Sequence, residues 1–233
     1  MSAARRERLS VLLDAGIGGA AALPARVCAL CVTEIPVTGA ALTIMGGRPL
    51  GSGHGLVHAT GPEIARVADL HRTVGEGPCH EAYRTGGPVL VPDMAVEADR
   101  WPGFAAGAAI AGVAAVFSFP LQVGSIRLGV LDLHRDLPGP LDREQLADAL
   151  FLAEVATVAV LDDIDGPGDM TLPWLADIHA AVHQASGIVT VQLGVGMDEA
   201  LLRIRGHAFA NQQTLDEVAR QIVARELRLE MEQ

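Results

Sequence analysis

The spacing of apolar positions changes along this chain, and the change divides it. Within residues 5–35, Leu9, Leu12, Leu13, Ile17, Val27, Leu30 and Val32 recur at helical spacing with an interruption near Gly16 to Pro24, which predicts two helices or one broken helix. Runs of strand character follow at 37–45, 55–59, 88–91, 113–121 and 126–133. The last two are separated by Gln122-Val-Gly-Ser125, which suits a hairpin turn. Short helices are expected at 79–84, after a Gly-Glu-Gly-Pro turn, and at 101–110. A longer one is expected at 142–160, where Leu146, Leu150, Ala153, Ala156 and Val160 repeat every three or four residues. The sum is an α+β domain, a mostly antiparallel sheet flanked by helices.

Asp162-Asp-Ile-Asp-Gly-Pro-Gly-Asp169 then breaks the pattern, an acidic run containing Gly and Pro that reads as a linker. Beyond it the period is helical throughout, in three segments. Trp174, Ile178, Ala181, Val182, Ala185, Ile188 and Val189 line the first, which ends at Gly194 to Gly196. Asp198 and Glu199 open the second, where carboxylates complement the helix dipole, and Ala200, Ile204 and Ala208 share one face before Asn211. Thr214-Leu-Asp-Glu217 forms a capping box that starts the third, with Val218, Ile222, Val223 and Leu227 inward. The expected organisation is a domain over 1–161, a linker over 162–172 and a three-helix bundle over 173–229.

Composition narrows the function classes. Half of the 233 residues are hydrophobic, which excludes a disordered chain. The net charge of −11 argues against a protein that coats nucleic acid through phosphate neutralisation, while leaving room for a local RNA site. Three cysteines, Cys28, Cys31 and Cys79, are an odd number, and MSAARRERLS is not followed by a long apolar stretch and a cleavage site, so a reduced cytoplasmic location is expected. The most apolar stretch, 104–121, is interrupted by Gly107, Gly112, Ser118 and Pro120, so no membrane span is expected.

Val182-His-Gln-Ala-Ser-Gly-Ile188, Asp198-Glu-Ala-Leu-Leu-Arg-Ile-Arg205, Ala208-Phe209 and Leu215-Asp-Glu-Val-Ala219 resemble the ANTAR domain, a three-helix RNA-binding module of bacterial antiterminators. Gly75-Glu-Gly-Pro-Cys79, Ala82, Gly86, Pro88, Val91, Asp93, Arg100-Trp-Pro102, Phe104 and Gly129-Val-Leu-Asp132 resemble a GAF domain. The joint resemblance implies a transcription antitermination regulator. Its GAF domain would sense a small molecule or redox state, and its tail would bind paired stem-loop RNA. Arg205 matches the position where the family most often carries Arg, and Arg203 and His207 are expected to share an exposed face with it. His183, Ser186 and Arg220 complete the candidate RNA-binding set. Where the family has Ala-Lys-Gly, this chain has Ala185-Ser186-Gly187, so one cationic contact is absent. Gly187 inside a helix points to close approach of a neighbouring helix or of RNA. The tail carries five arginines against eight carboxylates, a net charge of −3, so recognition must rest on a local patch that reads loop bases.

Other constellations weigh less. Cys28-Ala-Leu-Cys31 with Cys79-His80 offers four potential zinc ligands, but the apolar helical setting favours buried structural cysteines, and no metal or cofactor is assigned. Cys79 at a helix N-terminus is a candidate redox thiol, because that position lowers thiol pKa. His54 and His58 read as loop residues, and Asp132, His134 and Asp136 as surface charge. Phosphate-loop and nucleophile-elbow motifs are absent, and no catalytic constellation emerges. The competing reading is a sensor whose tail docks a protein partner, such as a kinase or phosphatase, without RNA. The helices within 5–35 and 142–160 offer apolar stripes beyond what one sheet buries, which predicts a homodimer. Light scattering is expected to give twice the chain mass, and a monomer would overturn this.

Overall fold

The computed structural model describes residues 1–14, 23–46, 53–165 and 173–229. Helices α1 (Ala3–Asp14) and α2 (Leu23–Glu34) lead into strands β1 (Gly39–Gly46) and β2 (Gly53–Ala59). Helices α3 (Pro62–Val74) and α4 (Pro78–Thr85), strand β3 (Val89–Val91) and helix α5 (Pro102–Ile110) follow. The hairpin of β4 (Ala115–Val123) and β5 (Ile126–Arg135) and the long α6 (Arg143–Asp165) complete the first domain. The sheet is antiparallel throughout, in the order β2-β1-β5-β4-β3. The tail is α7 (Pro173–Leu193), α8 (Met197–Ala210) and α9 (Leu215–Val223).

The sheet separates two cores. On one face, Leu9 of α1, Cys28 and Cys31 of α2 and Leu152 of α6 pack over Leu42 and Phe117. On the other, Val67 of α3, Cys79 and Ala82 of α4 and Phe104 of α5 pack over Val116 and Val130. Burying each large aliphatic or aromatic side chain contributes about 1.5–3 kcal/mol. Arg5 ties three helices of the first face together, with its guanidinium 2.9 Å from both Glu34 and Asp148. In the tail, Ala185, Val189, Ala200, Ile204, Ala208 and Val218 form a third core. The α9 capping box is complete: Glu217 N donates to Thr214 Oγ1 at 3.1 Å, and Thr214 N donates to Glu217 Oε2 at 2.8 Å.

Several expectations change. Helix α3 was not legible in the apolar spacing, although Pro62 in its first turn and Gly75 at its left-handed cap mark both ends. His54 and His58 belong to strand β2 rather than to a loop. Asp132 and His134 are not surface charge, since β5 turns both toward the second core, where they are 0% and 3% exposed. Helix α6 continues to Asp165, into the expected linker. The rest of that linker (166–172), the interruption at 15–22 and the side chains of Trp174 and Ile178 lie outside what is described. A Cβ on Gly187 would meet no described atom within 4 Å, so close helix packing does not explain that glycine.

Gly129 on β5 lies against the β1 backbone, where a Cβ would run into the Thr43 carbonyl and sit 2.9 Å from Ile44 Cα. Neither can move without breaking the ladder. Gly129→Ala is therefore expected to destabilise the chain by about 1–3 kcal/mol, read as a lower urea midpoint with an unchanged slope.

Candidate functional site

The corner between α3 and α4 organises the second face. Gly75 ends α3 in the left-handed region (φ 73°), its N–H donating to His71 O at 2.9 Å. Glu76 turns outward, and its Oε1 accepts from Gly103 N at 2.7 Å and Phe104 N at 3.2 Å, capping α5. Gly77 (φ 120°) then admits a close approach that no side chain allows, because a Cβ there would sit 2.9 Å from His71 Nε2 and 3.0 Å from Phe104 Cγ. Pro78 starts α4.

Under this corner lies a small polar group inside an apolar core. The His71 ring stacks on Phe104 at 4.1 Å, and Cys79 N donates to His71 Nε2 at 3.5 Å. A ring nitrogen of His71, Cys79 Sγ and an Asp132 oxygen all lie within 4.8 Å of one another. Asp132 Oδ1 accepts the Ser118 hydroxyl, whereas Oδ2 has no hydrogen-bond partner among the described residues. Burial lifts the Asp132 carboxyl to about 6. Burial, and after it the neighbouring Asp132, holds the Cys79 thiol well above its usual range. The acid-shifted redox thiol expected at Cys79 is thus reversed, since desolvation outweighs the helix terminus. The four-ligand zinc set fails too, because Cys28 and Cys31 lie across the sheet from Cys79. Both are buried structural thiols, with Cys28 pushed up to about 12.

The last turn of α3 is also where the tail rests. Arg72 Nη1 and Nη2 hold the Asp216 carboxylate at 2.7 and 2.6 Å, and Arg72 also pairs with Asp69. Burial works against the Arg72 charge, yet these carboxylates raise its pKa above the ordinary value. Leu215 N at the start of α9 donates to Thr73 Oγ1 at 3.3 Å. Arg205 lies over Gly75, where a Cβ would meet its Nη1 at 2.9 Å, and its Nε is buried with no hydrogen-bond partner among the described residues. Burial, then the nearby Arg72 charge, pulls the Arg205 guanidinium below its usual pKa. The candidate RNA-reading arginine is therefore turned inward, against the first domain.

The other candidate residues scatter. Arg203 and His207 do not share a face with Arg205, because residues two apart on a helix point roughly 200° apart. Arg203 pairs instead with Glu199 at 2.8 Å. Ser186 is 3% exposed, its hydroxyl donating to Val182 O at 2.8 Å. His183 and His207 are half-buried. Arg220 is exposed, and its Nε donates to Asp216 O at 3.2 Å. The sequence reading missed Arg72, Thr73 and Asp216, the residues that join the two parts. A cavity of about 270 Å³ reaches this junction, lined by Thr43, Leu56, Ala68, Asp69, Arg72 and Asp216. A wider groove of about 780 Å³ runs beside it between Leu70, Ile110 and Phe209.

Two family models match the chain. The family model described as "GAF domain" matches residues 21–160, and that described as "ANTAR domain" matches 177–223. No curated protein matches. Among solved structures, the GAF domain of the Acinetobacter phosphoenolpyruvate-protein phosphotransferase superposes with a TM-score of 0.54 at 12% identity, covering 73% of this chain and 100% of that one. Its counterpart from Coxiella burnetii gives 0.52 at 17% identity, covering 67% and 90%. At such identities these likenesses concern the fold alone.

If Arg72 holds the tail, its removal must loosen α9 first. Arg72→Ala is expected to cost on the order of 1–3 kcal/mol of local stability, because Asp216 and Asp69 lose their shared cation. Hydrogen exchange at the Leu215 amide is expected to quicken by about tenfold or more. Unchanged exchange there would sink the reading.

Proposed function

Because the chain belongs to the GAF family and carries an ANTAR domain behind it, we propose that it is an RNA-binding regulator of transcription antitermination, held here in a closed state. Both domains are regulatory, so the chain is a regulator; the RNA target and the closed state are our reading. In that reading the GAF domain, residues 1–161, responds to a small molecule or redox signal. The ANTAR domain, residues 173–229, grips the loops of paired stem-loop RNA, and no reaction is catalysed. The observation that carries it is Arg205, which matches the position where the family most often carries Arg yet is half-buried against Gly75, with its Nε buried. A cation with a buried, unpartnered Nε and a depressed pKa gains from release into contact with phosphate or a stacked base.

The tail's net charge of −3 fits this account, since little binding would survive from undirected attraction and recognition falls to a few placed arginines. No helix among the described residues is long and apolar enough to cross a membrane, in keeping with the proposed cytoplasmic setting. Exposed Val11, Leu12, Leu150 and Val158 on α1 and α6 support a homodimer through those helices, which would bring two tails to one RNA.

Fluorescence anisotropy of the full chain against a paired stem-loop RNA and a loop-scrambled control, at two salt concentrations, tests this. Loop-dependent binding is expected to be lost in Arg205→Ala. It is expected to strengthen by about tenfold in Arg72→Ala, which frees Arg205 without touching the RNA-facing helices. Equal or absent binding to both RNAs, in every variant, would favour a tail that docks a protein partner instead.

A further inference from the structure

The polar group beneath the α3–α4 corner has a chemistry that the RNA reading does not use. His71 and Cys79 are each 2% exposed and Asp132 is 0% exposed, in a core otherwise built from Val67, Ala82, Phe104, Val116 and Val130. Buried carboxylates are ordinarily paired or bound to a metal. Asp132 has neither form of charge compensation among the described residues: its Oδ1 is held by the Ser118 hydroxyl, its other close partner is the Cys79 thiol, and the His71 imidazole shares the same pocket. One nitrogen, one sulfur and one carboxylate oxygen, converging from three elements, are the donor types that borderline divalent cations take.

We propose that His71, Cys79 and Asp132 form a binding site for a divalent transition-metal cation of the zinc class. The geometry is close to what such an ion needs. Tetrahedral zinc with bonds of about 2.0–2.3 Å spreads its ligand atoms by roughly 3.3–3.8 Å, and here the three donors already lie within 4.8 Å of one another. Drawing them in by about an ångström requires the His71 imidazole to slide on Phe104 and to give up its 3.5 Å contact from Cys79 N. As the metal–sulfur bond forms, the Cys79 proton passes to solvent. Met45 Sδ, 3.6 Å from Cys79 Sγ, is one candidate for the fourth position. A thioether is a weak ligand for this class of ion, so that position is the exchangeable one. Ser118 acts as a positioning residue, orienting the carboxylate so that Oδ2 is presented.

The site stands whether or not the tail binds RNA, and its test does not involve RNA. Full-length protein freed of metal with a chelator is titrated with Co²⁺, a spectroscopic stand-in for Zn²⁺. The expected result is one equivalent bound, with a thiolate-to-cobalt charge-transfer band in the near ultraviolet and strong visible bands of four-coordinate cobalt, all bleached by Zn²⁺. Cys79→Ser is expected to remove the charge-transfer band, and Asp132→Asn to weaken cobalt binding by more than about tenfold. The double variant Cys28→Ser, Cys31→Ser is expected to keep both. No charge-transfer band in the folded wild-type chain overturns the proposal, whatever the variants do. A band that survives Cys79→Ser, or one lost only in the Cys28/Cys31 variant, overturns it as well.

Discussion

A side chain at position 77 would occupy the space of the His71 imidazole, and much of the molecule follows from its absence. With glycine there, the chain turns from α3 into α4 within three residues and sets Cys79 N against His71 Nε2. The same turn lets Glu76 reach across to cap α5. It also fixes the outward side of α3's last turn, where Arg72 and Thr73 meet the tail. One steric constraint thus places both the buried polar cluster and the surface above it.

Charge and hydrogen bonds join the two parts of the chain. A bidentate Arg72–Asp216 pair and the Leu215–Thr73 bond sit at the centre. Asp216 lies in the first turn of α9, where the helix dipole already favours a carboxylate, so it is well placed to be an anchor. In the proposed reading the cost of closure falls on Arg205, which gives up part of its solvent without a carboxylate partner among the described residues. That asymmetry, one arginine satisfied and its neighbour not, is what makes the arrangement a candidate for reversal.

Much of this was legible in the chain. The strands, the β4–β5 hairpin, the α9 capping box and the three-helix tail follow from period, turn residues and caps. Helix α3 was hidden because its inward face includes His71 and Thr73, which a count of apolar residues passes over; its caps carried the signal instead. Asp132 and His134 looked like surface charge because a polar residue in a strand ordinarily faces water, and only strand register shows which face it takes. The junction was out of reach for a different reason. Arg72 and Asp216 lie 144 positions apart, and each alone is an unremarkable charge on an amphipathic helix.

The looseness of the junction has a consequence for how strong a signal must be. A cavity of about 270 Å³ borders the Arg72–Asp216 pair and a groove of about 780 Å³ runs nearby between Leu70 and Phe209, so the parts are not sealed by close packing there. In the proposed reading, inverting a two-state balance from one part in a hundred to ninety-nine would take about 5.5 kcal/mol of preferential binding, and a balance poised nearer to even would take less. In that reading a densely packed seam would shift the balance further toward the closed form, and a signal would have to supply correspondingly more preferential binding.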